Sequence, residues 1–143
     1  MGRPVAGRVL AIDPGKARVG VAISDEDRVL ASPRRVLEGS DRKRLVMELV
    51  RMCREEEVTH VLIGLPRHMT GEVGAAAGKI YELAQAIADA TGLEVELCDE
   101  RLTTVEATRR AREAGSARGS KRTPIDDAAA AVLLQAWLDR PVR

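Results

Sequence analysis

The chain has 143 residues, 45% of them hydrophobic and 31% charged, which fits one soluble globular domain and excludes a disordered or fibrous protein. Its 23 Lys and Arg nearly balance 22 Asp and Glu, so a net charge of +1 excludes a global field that draws in a polyanion. Any nucleic-acid surface has to be local, and with Tyr81, Trp137 and no Phe the core falls to Ala, Val, Leu and Ile.

In chain order, Arg8 to Asp13 (RVLAID) and Arg18 to Asp25 (RVGVAISD) are short β-branched runs joined by the turn dipeptide Pro14-Gly15, which predicts a hairpin. A third strand is expected from Val29 to Val36, with Pro33 marking an edge or bulge. Ser40 is placed to cap a helix over Asp41 to Glu57, where Leu45, Val46, Leu49, Met52 and Cys53 recur at helical spacing. His60 to Leu65 (HVLIGL) is nearly all apolar, the pattern of a parallel strand covered on both faces, and His60 at its start reads as structural.

Pro66 to Gly74 reads as a long polar loop leading into a helix that runs to Ala90, carries Ile80, Leu83, Ala84 and Ile87 on one face, and stops at Gly92. Leu93 to Cys98 alternates as a strand, Thr103 to Ala114 reads as a helix, Gly115 to Arg122 as a Ser/Gly/basic loop, and Pro124 to Leu138 as the last helix. The fold class is therefore α/β: a three-layer mixed sheet of five strands, an antiparallel meander plus two parallel strands, with helices on both faces. Residues 1–143 read as a single domain. Cys53 and Cys98 match no metal-ligand spacing and read as two reduced, buried thiols. No run reaches the ~18 apolar residues of a membrane span and no signal segment is evident, so the expected location is cytoplasmic.

Three carboxylates stand at element ends. Asp13 closes the first strand, Glu100 lies just beyond the fifth, and Asp126 falls in the first turn of the last helix. α/β proteins gather their sites at the carboxyl ends of neighbouring strands, and clustered carboxylates are neutralised by hard divalent cations through oxygen ligands. Such ions activate water and stabilise the leaving oxygen of a phosphodiester, so the implied chemistry is phosphoryl hydrolysis. Each acid also has a purely structural role open to it. Asp13 precedes a turn and can accept backbone hydrogen bonds. Asp126 follows Thr123 by three with Pro124 between, a capping arrangement, and Glu100 can be a solvated charge.

Seven cations against two acids give the segment from Arg101 to Arg122 a local net charge of +5, a surface fit for a phosphate backbone beside the acids or, equally, a solvated helix face. The near absence of aromatics removes a stacking platform for single-stranded bases and favours backbone or shape recognition. Arg18 can anchor its turn or a phosphate, and His68 can approach a phosphate or donate a proton.

Four segments, "AIDPGKARVGVAISD", "IGLPRHMTGEVG", "DERLTTVEA" and "KRTPIDDAAAAVLLQAWLD", resemble in order the successive signatures of the YqgF/RuvX family, covering nearly everything from Arg8 to Asp139. That bacterial family is RNase H-like, assigned to 5′-end processing of the 16S ribosomal RNA precursor and to Holliday-junction-resolvase-like activity. The resemblance implies a metal-dependent endonuclease with an acidic site of Asp13, Glu100 and Asp126 binding Mg²⁺ or Mn²⁺. It further implies Arg18, Arg101 and Lys121 as substrate contacts, and the loop with Arg67 and His68 bordering the cleft. The implied partner is structured RNA, chiefly ribosomal RNA precursor, or branched DNA, with no membrane, and the chain acts as monomer or homodimer. One departure from the wider resolvase pattern stands out: the position three after Asp126 is Ala129, and Asp127 points about 100° away on a helix. Asp99 is then expected as a supporting acceptor. Three alternatives are a four-way-junction resolvase, a non-catalytic nucleic-acid-binding module, and an actin-like phosphotransferase suggested by the first hairpin.

Overall fold

The structure, a computed structural model, describes residues 7–15, 17–65, 73–99 and 128–141, with 73–76 and 128 described by their backbone. Its strands are β1 (Arg8–Pro14), β2 (Arg18–Ser24), β3 (Ala31–Pro33), β4 (Leu37–Glu38), β5 (Val58–Leu65) and β6 (Glu94–Asp99). Its described helices are α1 (Arg42–Glu55), α2 (Val73–Thr91) and α3 (Ala128–Asp139). The sheet runs β3-β2-β1-β5-β6, with β4 also paired to β2. β1, β2 and β3 are antiparallel neighbours, while β5 and β6 join β1 in parallel through helical crossovers. The mixed three-layer architecture expected from the sequence is the one observed.

Two expectations are corrected. The third strand is interrupted: Pro33 has no N–H to continue the ladder, Arg34 makes one further bond to the Val21 carbonyl at 2.7 Å, and the chain rejoins β2 at Leu37, giving six strands instead of five. The cap of α1 is Asp41 and not Ser40. Asp41 is extended and its carboxylate accepts from the Arg44 N–H, while the Ser40 hydroxyl donates to Glu38. α2 ends as expected, with Gly92 in the left-handed region at φ 74° donating its N–H to the Ala88 carbonyl. The helix and loop expected over Thr103 to Arg122 lie outside the described residues.

Strand alternation divides the core in two. Leu10, Ile12, Val19, Val21, Ile23, Val61 and Ile63 face α1 and α2, meeting Leu45, Leu49, Cys53, Ile80, Leu83 and Ile87. Val9, Ala11, Ala22 and Leu62 face α3, meeting Ala129, Ala130, Leu133 and Leu134. Cys53 and Cys98 are free, and burial pushes the Cys53 thiol up to about 11, so it stays protonated and inert. Among the described residues no helix is long and apolar enough to cross a membrane.

Candidate active site

Asp13 sits next to last in β1, opposite Gly20 of β2, and is 2% exposed. Because Leu10 and Ile12 point to the α1 side, alternation sends Asp13 to the α3 side with Val9 and Ala11. A carboxylate buried that deeply has to be hydrogen-bonded, ion-paired or metal-bound, since an isolated charge is too costly there. The parallel strands finish at the same edge: Leu65, the last residue of β5, pairs with Asp99, the last of β6. Cys98 packs among the partly buried residues on the α3 side.

α3 also points its start toward this edge. Its far end contacts the β2–β3 turn through Gln135 and the beginnings of β5 and β6 through Trp137, so Ala128 lies at the end where β1, β5 and β6 finish. Ala129, three residues after Asp126, is fully buried in the apolar cluster beneath α3.

The hairpin that presents Asp13 is tightly closed. Gly15 donates its N–H to the Arg18 carbonyl at 2.9 Å, and a Cβ on Gly15 would meet that same oxygen at 2.6 Å. Arg18 is exposed and lies two residues before Gly20, a diagonal neighbour of Asp13 on the same face. Gly39, which carried no assigned role in the sequence, donates its N–H to the Ala17 carbonyl at 2.8 Å, and a Cβ added there would press on Val19 at 2.9 Å. Its signal was a glycine just ahead of the Ser-Asp helix start, and it ties the base of the hairpin to the entry of α1. We expect Gly15→Ala to displace Arg18 and Asp13 together, costing about 1–3 kcal/mol of stability and lowering any hydrolytic rate by more than the fraction unfolded. Melting curves and single-turnover rates on one preparation check this.

Of the predicted site residues, the structure describes Asp13 and Arg18, which share one face of the β1–β2 hairpin. Glu100, Asp126, Arg101, Lys121, Arg67 and His68 lie outside the described residues. Among the described residues no group of three His, Cys, Asp or Glu is set to hold a metal. The donor type that is present, a buried carboxylate at a strand end, suits a hard cation such as Mg²⁺ or Mn²⁺. His60, read as structural, is buried and paired with Glu96.

The sheet order and the acid at the end of its first strand define the class, an RNase H-like nuclease fold. The T. thermophilus RuvC structure in complex with a Holliday junction substrate shares it, with a TM-score of 0.60 at 17% identity over 92% of each chain. The chain belongs to the RuvX family, whose model, described as Holliday junction resolvase, matches residues 7–140. A Mycobacterium tuberculosis protein named "Putative pre-16S rRNA nuclease" is 42% identical over 137 residues, covering 95% of this chain and 81% of its own length. One from Mycobacterium sp. strain KMS with the same name is 43% identical over 97% of this chain and 83% of its own.

Proposed function

We propose that this chain is a metal-dependent endonuclease that cuts structured RNA, with the 5′ region of the 16S ribosomal RNA precursor as its substrate. The observation that carries the reading is Asp13: a nearly fully buried carboxylate at the edge where β1, β5 and β6 finish and toward which α3 points its start. The name shared by the mycobacterial relatives supports the substrate. In this reading Asp13, Glu100 and Asp126 hold Mg²⁺ or Mn²⁺. Cys98, two residues before Glu100, packs on the α3 side, and Ala128, two after Asp126, opens α3 at the same edge, which favours their meeting. The ion supplies an activated water and charge neutralisation at the scissile phosphate.

The other residues bind and orient. Arg18, on the face of Asp13, offers a planar fork of donors to a non-bridging phosphate oxygen. Arg101, Lys121, Arg67 and His68 extend that hold along the backbone, and the single domain works in the cytoplasm. Arg18→Ala is expected to raise KM severalfold, leave the choice of cleavage site unchanged, and reduce the salt dependence of binding by about one unit of slope. Titration of labelled RNA at several salt concentrations measures this.

A four-way DNA junction is the second substrate reading, favoured by the description of the family model and by the shared fold. Two symmetric cuts need two sites, so that reading requires a dimer. Competition between a labelled precursor fragment and a labelled junction, with sedimentation of the same sample, decides. Preferred cutting of the RNA supports the proposal, and preferred paired cutting of the junction by a dimer overturns its substrate.

A further inference from the structure

The last helix rests on a smooth bed. Ala129, Ala130, Leu133 and Leu134 lie on Val9, Ala11, Ala22 and Leu62, an apolar contact that holds α3 against the sheet without any directional bond. At the far end of α3 polar side chains add directional contacts to the sheet. Gln135 joins the sheet edge as an extra peptide unit would: its Oε1 accepts from the Ala31 N–H at 2.9 Å and its Nε2 donates to the Val29 carbonyl at 2.9 Å. Trp137 donates its Nε1–H to Glu96 Oε2 at 3.2 Å. The other Glu96 oxygen lies 3.1 Å from His60 Nε2, and the imidazole stacks on the indole with centroids 5.1 Å apart. The Arg140 guanidinium lies over the same indole at 4.0 Å. These contacts engage β3, β5 and β6 together, at the end of the sheet opposite Asp13.

We infer that Gln135 and Trp137, the latter seated on His60 and Glu96, are positioning residues that fix the axial register of α3 and so the distance from its start to Asp13. The inference rests on the reading above, in which Asp126, two residues ahead of Ala128, joins Asp13 in the acidic site. One residue of slip along a helix is about 1.5 Å, whereas metal ligands tolerate about 0.2 Å. A clamp about 12 Å along the helix axis from Ala128 therefore governs where the start of α3 stands relative to Asp13.

The test is the double variant Gln135→Met with Trp137→Phe, which keeps side-chain bulk and the aromatic stack while removing all three hydrogen bonds to the sheet. Mn²⁺ binding is measured by calorimetry without nucleic acid, beside cleavage rates and circular dichroism. The expected result is Mn²⁺ affinity about tenfold or more weaker and kcat about ten- to a hundredfold lower. KM for RNA stays near the wild-type value, and raised Mn²⁺ recovers part of the rate. Each single variant is expected to show a smaller shift of the same kind, so the test survives if the double variant fails to fold. Unchanged Mn²⁺ affinity in folded variants, with or without a slower rate, overturns the positioning role. Wild type that binds Mn²⁺ while Asp13→Asn does not keeps the site reading intact in that event. Wild type that binds no Mn²⁺ overturns the site reading and this inference with it.

Discussion

Asp13→Asn should lower the cleavage rate by about 10³-fold or more, close to 4 kcal/mol of transition-state stabilisation, with RNA affinity within a few-fold of wild type. The substitution swaps a carboxylate oxygen for an amide in nearly the same volume, so it removes a ligand charge without opening a cavity. The position sharpens the effect: Asp13 is 2% exposed, and the hairpin that carries it is closed by the Gly15 to Arg18 hydrogen bond, so a neighbouring side chain cannot easily move in to replace the lost oxygen. Rapid-mixing rates with enzyme in excess, beside a filter-binding isotherm, separate chemistry from binding.

Leu133→Ala should be strongly destabilising, costing about 3–4 kcal/mol and lowering Tm by about 10 °C. The cluster beneath α3 is built mainly from Val9, Ala11, Ala22, Ala129 and Ala130, with Leu62, Leu133 and Leu134 as its large buried members. Alanines have no side chain to swing into the space a leucine leaves, so the cavity stays open and its full cost is felt. Leu133→Met, which keeps nearly the same volume, should cost less than about 1.5 kcal/mol. Thermal melts followed by circular dichroism measure the difference.

The parts of the fold legible in the sequence were those governed by local pattern. RVLAID and RVGVAIS are short β-branched runs joined by Pro14-Gly15, and both strands appear where those runs and the turn put them. HVLIGL is apolar throughout because both sides of β5 are covered, and the structure extends it back to Val58. Gly92 ends α2 because it accepts a left-handed backbone there. Choices between adjacent candidates were less legible. Ser40 and Asp41 are both good caps, and the decision went to Asp41 because Ser40 found Glu38. Pro33 signalled trouble in the third strand, but whether the chain would rejoin β2 depended on Leu37 finding Val19.

In the site, Asp13 was legible as the acid closing the first strand, while its shared face with Arg18 needed the hairpin register that pairs Asp13 with Gly20. The fastening of α3 was not legible. Gln135 meets Ala31 across 104 positions of sequence, and Trp137 meets Glu96 across 41. Nothing local to QAWLD distinguishes a glutamine that closes a sheet edge from one that faces water.

The central claim, that this RuvX family member hydrolyses phosphodiester bonds with a divalent ion held at Asp13, is tested most directly on a 16S ribosomal RNA precursor fragment. Purified protein is incubated with the fragment in Mg²⁺, in Mn²⁺ and in EDTA, and the ends of the products are analysed. Discrete cutting is expected in either ion and none in EDTA, with a 5′ phosphate on the downstream product. Folded protein that binds the fragment and leaves it whole in both ions, or that cuts it equally well in EDTA, would contradict it.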